Sequence, residues 1–230
     1  LAVLEQDRSD FGDRIVLHDF GNPKAPLIKY RHRGAKFMKK QIVRKQVQNI
    51  LQTIQPEERS AKSASISKKL LRTAWWHEAE IVLAFCSMQE EVKTGEIINA
   101  ALGTTKIVGV PRMQGDDLVF HRIRNLEEDF CLNCFGIKEP DVSWPVLDLS
   151  QLPSRKFLIV TPGLAFDRKK NRLGRGKGYY DRLLLHVRTS HEQHISAVGV
   201  CFSEQLLEHV PARAHDQPVD AVITEKEIIV

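Results

Sequence analysis

The sequence predicts an α/β fold, a single three-layer α/β/α domain on a mostly parallel sheet. Three observations carry this expectation. Short apolar runs alternate with stretches of helical period. The runs are nearly all apolar, as strands covered on both faces must be. The chain has 230 residues, 42% hydrophobic and 27% charged, enough to bury a core without disulfides or a structural metal.

Residues 1–37 read as an extension: Gly21, Pro23 and Pro26 punctuate them and no period lasts. Met38, the first methionine, is a candidate natural start, so the domain is expected over residues 38–230. From there Ile42, Val43, Val47, Ile50, Leu51 and Ile54 recur at helical spacing. Pro56, followed by Glu57 and Glu58, opens a second helix running to about Arg72. Strands are expected at 81–86, 106–110, 118–123, 157–161, 197–202 and 221–224. Helices are expected at 94–102, from 179 to about 187, and briefly around Leu206. Trp75 and Trp76 read as packing between helix and sheet.

Several function classes fall away. No apolar stretch reaches the roughly 18 residues of a membrane span, and the first residues are not a secretory signal. Cys86 and Cys201 sit in apolar runs. Cys131 and Cys134 form a lone C-x-x-C without a second ligand pair, and the nine histidines show no ligand spacing. All four thiols are expected to be reduced, in the cytoplasm. The formal charge is +5, from 34 Lys and Arg against 29 Asp and Glu, but seven and five of these lie in residues 1–37. The remaining 27 against 24 is only mildly basic, which favours a small polyanionic substrate over nucleic acid. An RNA-binding module is the alternative, motivated by Arg172, Arg175, Lys177 and Arg182 beside two tyrosines.

The most informative stretch is Pro162-Gly163-Leu164-Ala165-Phe166-Asp167, then Asn171-Arg172-Leu173-Gly174-Arg175-Gly176-Lys177-Gly178-Tyr179-Tyr180-Asp181, between an apolar strand and an amphipathic helix. Alternate glycines bring backbone N–H groups close to an anion, three basic side chains add charge, and the helix offers its N-terminal dipole. Phosphate fits such a loop, and so does a plain surface turn. No Ser or Thr follows Lys177, so it is not a Walker A loop.

This stretch closely resembles the signature of the 5-formyltetrahydrofolate cyclo-ligase (5,10-methenyltetrahydrofolate synthetase) family. Further matches follow in the family's order. They are Lys40-x-x-x-Arg44, the run from Ser87 through Glu91 to Thr94, Pro111-Arg112, Phe135-Gly136-Ile137-Lys138-Glu139-Pro140, and His215-Asp216 followed by 220–225. Coverage is about residues 38–225. The sequence departs at Leu132-Asn133-Cys134, where the family has a glycine-containing turn, often with Tyr in place of Phe135.

The resemblance implies an enzyme that uses Mg-ATP to convert 5-formyltetrahydrofolate into 5,10-methenyltetrahydrofolate, releasing ADP and phosphate, and acting as a monomer. It implies that Arg172, Gly174, Arg175, Gly176, Lys177, Gly178 and Tyr180 hold the nucleotide, with Lys40 and Arg44 from the first helix. Arg175 and Lys177 would be catalytic. Cys86, Glu91, Arg175 and Tyr179 would touch the folate, and Asp181 and Asp216 would hold Mg²⁺. Without the resemblance, these residues have plainer readings. Asp181 is a helix-start acid, Asp216 a turn acid before Pro218, Glu91 a loop acid, Cys86 core, and Lys40 with Arg44 a solvated helix face.

Overall fold

The structure is a computed structural model that describes residues 40–126, 130–132, 138–152, 154–190 and 195–230. Met38, the extension, Cys134 and 135–137 lie outside the described residues.

Two helices come first, α1 (Lys40–Thr53) and α2 (Pro56–Leu70), then the short α3 (Ala74–Glu78). Strand β1 (Ile81–Ala84) leads through α4 (Gly95–Leu102) to the hairpin of β2 (Ile107–Gln114) and β3 (Asp117–Ile123). A small pair, β4 (Phe130–Leu132) and β5 (Lys138–Pro140), precedes β6 (Phe157–Thr161). Then follow β7 (Ala165–Asp167), β8 (Arg172–Leu173), α5 (Tyr179–Ser190), β9 (Ile195–Val200), β10 (Leu206–Leu207), β11 (Ala221–Ile223) and β12 (Ile228–Ile229).

The central sheet runs β12-β11-β9-β6-β1-β2-β3. Its five inner strands are parallel, and β12 and β3 close the edges antiparallel. Successive side chains alternate between its faces. In β1, Val82 and Ala84 join the core under α1, α2 and α4, while Ile81 and Leu83 join the core under α5. Leu158 and Val160 of β6 repeat the first choice, and Phe157 and Ile159 the second. That alternation is why the strands read as continuous apolar runs, and it gives the expected three layers. On α1, Val43, Val47 and Leu51 are buried, whereas Ile42 stays exposed. Trp75 and Trp76 both pack into the first core.

Two elements depart from expectation. The strand expected to end at 110 continues through Pro111 to Gln114, because β1 pairs with β2 only at Ile107–Gly109. Beyond that point β2 pairs with β3 alone, so the N–H that proline lacks is not needed for a ladder on the other side, where Met113 N donates to Glu139 Oε1. The helix expected around Leu206 is instead a 3₁₀ turn, Ser203–Gln205, followed by β10 paired parallel to β7. Gln205 decides this: its amide donates to Gly163 O (2.8 Å) and accepts from Phe202 N (2.8 Å), fixing the turn while the buried Leu206 and Leu207 continue as strand.

Phe166, fully buried, lies against two glycines. A Cβ at Gly199 would sit 2.5 Å from its ring, and one at Gly163 2.7 Å. Gly199→Ala is therefore expected to destabilise the fold by about 1–3 kcal/mol, the scale of overpacking a filled core, read as a shift of the chemical unfolding midpoint.

Candidate active site

The glycine-rich loop leaves the carboxyl end of β6, the edge of a parallel sheet where α/β proteins place their ligands. Its base is braced by Asp167, fully buried at the end of β7. One oxygen accepts the N–H groups of Lys169 and Asn171 (both 2.9 Å); the other accepts the Asn171 amide (2.9 Å) and Val210 N (3.0 Å). A buried carboxylate is stable only when so satisfied. Sequence reasoning quoted Asp167 as part of the motif without giving it a task; its tie to Val210, far along the chain, has no local signal.

Above this brace, Gly176 (φ +114°) and Gly178 (φ +73°) adopt left-handed backbone that glycine alone takes without strain. At Gly174 the constraint is space, since a Cβ would meet Arg172 Nη1 at 2.9 Å. Helix α1 packs onto the loop from one side. Arg44 Nε donates to Gly174 O (2.9 Å), and its guanidinium lies across Gly176. Four residues earlier, Lys40 Nζ reaches Asp216 Oδ1 at 2.7 Å. Burial pushes the Asp216 carboxyl up, but hydrogen bonds from Lys40 and the Arg213 N–H outweigh it and hold the group below the usual carboxylate range.

Arg172 lies beneath the loop. Its buried guanidinium contacts Asp181 Oδ1 at 2.7 Å and sits 5.7 Å from the centre of the Tyr180 ring. The same Asp181 oxygen accepts Gln217 N (3.1 Å), tying the start of α5 to the turn that carries Asp216. The Tyr180 hydroxyl is buried without a hydrogen-bond partner, and burial, reinforced by the nearby Glu91 charge, raises its ionisation far out of reach. Tyr179 faces the other way. Its hydroxyl donates to Gly115 O (3.1 Å) at the β2–β3 turn, and its ring carries Arg182.

The opposite wall is the segment 86–93, between β1 and α4. Its turn is closed by Glu91, whose Oε2 accepts Met88 N (3.0 Å). Glu91 Oε1 faces Arg175, with Nη2 at 3.3 Å, and Glu90 Oε2 lies 3.8 Å from the same nitrogen. Arg175 thus spans from the glycine loop to the acidic wall. Below that bridge, a cleft of about 190 Å³ is lined by Gln48, Asn49, Leu51 and Gln52 of α1, Glu90, Leu164 and Arg175. Cys86, half-buried, packs against the first core, and Lys177 is exposed on the loop.

The family model for 5-formyltetrahydrofolate cyclo-ligases matches residues 36–225, nearly the whole described chain. The chain belongs to this family. The mouse 5-formyltetrahydrofolate cyclo-ligase is 32% identical over 190 residues, covering 80% of this chain and 92% of its own. The Escherichia coli cyclo-ligase is 31% identical over 153 residues, 65% and 80% of the two chains. Among solved structures, 5,10-methenyltetrahydrofolate synthetase of Aquifex aeolicus superposes with a TM-score of 0.69 at 31% identity, covering 83% of this chain and 92% of that one. As a family member, the chain is an enzyme of 5-formyltetrahydrofolate metabolism, a ligase.

The family's loop gathers most of the residues expected from sequence. Lys40, Arg44, Gly174, Gly176 and Gly178 surround one stretch of backbone, with Arg175 above and Asp181 and Asp216 joined through Gln217. Glu91 meets Arg175 across the cleft. Arg172 stands apart: it is 6% exposed and turned to Asp181, so it braces the loop from beneath. Of the residues that motivate the RNA-binding alternative, Arg172 is buried, and Arg182 and Tyr179 are engaged with each other and with the β2–β3 turn. Among the described residues no helix is long and apolar enough to cross a membrane, and no three His, Cys, Asp or Glu cluster as a metal site.

Proposed function

We propose that the chain uses ATP and Mg²⁺ to close 5-formyltetrahydrofolate to 5,10-methenyltetrahydrofolate. The single observation that carries this reading is the Arg175 bridge, which brings a phosphate-type glycine loop flanked by Lys40 and Arg44 against the acid Glu91. Phosphate and folate would meet where these two walls meet.

A formyl amide is a poor electrophile, so its oxygen must first become a leaving group. The formyl oxygen attacks the γ-phosphorus of ATP, the bond to the β–γ bridging oxygen breaks, and ADP departs. N10 then attacks the activated carbon and loses its proton to water. Phosphate leaves with the former formyl oxygen, and the five-membered ring closes. The protein's tasks are alignment and charge neutralisation. The loop N–H groups of 174–178 and the N-terminus of α5 face the phosphates. Lys40, Arg44 and Lys177 balance their charge, and Arg175 reaches the transferred group. Glu91 accepts hydrogen bonds from pterin N–H donors, beside Cys86 and Tyr179. Arg172 and Tyr180 support the nucleotide from beneath the loop.

Asp181 and Asp216 suit a hard cation. Asp181 Oδ1 is taken by Arg172 and Gln217 N, which leaves Oδ2 for an ion, and Asp216 becomes available when Lys40 turns to phosphate. The two carboxylates would share the ion with phosphate oxygens and water, so no three-acid cluster is needed. When bound, Mg²⁺ draws the phosphates together and neutralises their charge.

The reaction involves only small molecules, and we propose that the enzyme acts as a monomer without nucleic acid. The buried Cys201 thiol, outside any disulfide, is compatible with the reducing cytoplasm, where we place the enzyme. We assign the activity to residues 38–230. Full-length protein mixed with ATP, Mg²⁺ and 5-formyltetrahydrofolate is expected to develop the methenyl-folate absorbance band, and a chain starting at Met38 to do so at the same rate. No band with both ATP and Mg²⁺ present, or an undiminished band when either is left out, would overturn the reading.

A further inference from the structure

A residue outside the family signature controls the cleft. Arg59, on α2, is 6% exposed, and its guanidinium donates to three backbone carbonyls. Nη2 takes Leu51 O (2.8 Å) and Ile54 O (3.0 Å) at the end of α1, and Nη1 takes Gln89 O (2.7 Å) in the acidic wall. The carbonyls in a helix's last turn have no partner within the helix, so α1 offers them outward. Leu51 and Glu90 stand on opposite walls of the cleft of about 190 Å³, and Gln89 precedes Glu90. One rigid side chain therefore ties the two walls together from below.

The rest of α2 reinforces the same tie. Ser63 Oγ donates to Arg59 O (2.7 Å) and accepts Lys93 N (3.0 Å), while Lys93 Nζ reaches Ser60 Oγ (2.8 Å). At the far shoulder of the segment, buried Thr94 donates to Phe85 O (2.6 Å). Only the 88–91 turn projects forward, and Arg59 fixes its orientation at Gln89 O. The Glu91 carboxylate is then held by Met88 N within that turn.

We propose that Arg59 is a positioning residue that sets the width of the folate-side cleft by fixing the 88–91 turn against α1. It acts through Glu91 without touching substrate, and so rests on the placement of the folate against Glu91 given above. Arginine is required because its planar fork spans carbonyls from two segments at once, whereas a lysine ammonium is a single point. The nucleotide side meets this tie only through Arg175, which Glu90 and Glu91 hold. Lys40 and Arg44 lie at the other end of α1, anchored separately to Asp216 and Gly174.

The test uses the full chain with Arg59→Lys and Arg59→Met, alone and combined with Glu91→Gln. Arg59→Lys keeps the charge and part of the hydrogen bonding, so it carries the test if Arg59→Met does not fold. The Michaelis constant for 5-formyltetrahydrofolate is expected to rise about tenfold in Arg59→Lys, with the constant for Mg-ATP within about twofold of wild type and turnover falling by less than the folate constant rises, since Glu90 and Glu91 also hold Arg175. In the Glu91→Gln background, Arg59→Lys should add almost nothing, because both changes remove the same contact. An unchanged folate constant in Arg59→Lys overturns the proposal. So does a joint rise of both constants with a fall in turnover, which would mark general loosening. If Glu91→Gln leaves the folate constant intact, the placement of the folate falls, and Arg59's role with it. If Glu91→Gln raises it and Arg59→Lys does not, only the role of Arg59 falls.

Discussion

Replacing Arg175 with alanine is expected to cut turnover by a few orders of magnitude, corresponding to about 3 kcal/mol or more for a lost donor to transition-state charge. The side chain leaves the loop between Gly174 and Gly176 and ends against Glu91 and Glu90, so its guanidinium stands between the phosphate side and the folate side. In the proposed mechanism, negative charge grows between those two sides during phosphoryl transfer. Before ligands bind, the two glutamates hold the fork in place, so little reorganisation is left for the reaction. Arg175→Lys keeps the charge and loses the fork, and should recover only part of the rate. The constant for ATP should move much less than turnover, because Lys40, Arg44 and Lys177 still meet the ground-state phosphates. Steady-state kinetics with ATP varied at saturating folate checks this. A raised ATP constant with intact turnover would make Arg175 an ordinary binding contact.

The glycine loop and the central sheet were legible because their causes are local. Alternating apolar strands, a proline at the start of α2 and glycines at left-handed backbone positions all leave a mark within a few residues. What escaped was set by partners distant in sequence. Nothing near Arg59 says that it will reach Gln89, thirty positions on, and nothing near Asp167 predicts Val210. The expected short helix around Leu206 gives way to a strand of two residues, which has no period in sequence and exists only through pairing with β7. Arg172 shows the opposite case. Arg175 of the same loop lines the cleft, and as one more cation in a basic loop Arg172 reads as a phosphate contact, while the structure shows its guanidinium paired with Asp181. Residue type points to the loop as a candidate site, and packing distinguishes exposed side chains such as Arg175 and Lys177 from the buried Arg172.

Asp181→Asn is expected to reduce turnover by at least a hundredfold, about 3 kcal/mol, and also to lower stability. The two effects have different causes. Asparagine keeps an acceptor for Gln217 N and Arg172 but loses the charge, which weakens any hold on Mg²⁺ and leaves the guanidinium of Arg172, its side chain 4% exposed, without a counter-ion. A buried arginine so stranded costs about 1–3 kcal/mol, so the melting temperature should fall measurably. A plain helix-start acid complementing the dipole of α5 would be worth less than about 1 kcal/mol and would leave turnover alone. The double variant Arg172→Met with Asp181→Asn separates the causes. Methionine removes the stranded charge at similar length, so stability should return towards wild type, as when buried ion pairs are replaced by apolar groups. Turnover should stay low and demand more magnesium, because the carboxylate is still missing. Recovery of activity together with stability would mean that Asp181 serves only to neutralise Arg172, and the metal would have to rest on Asp216 alone.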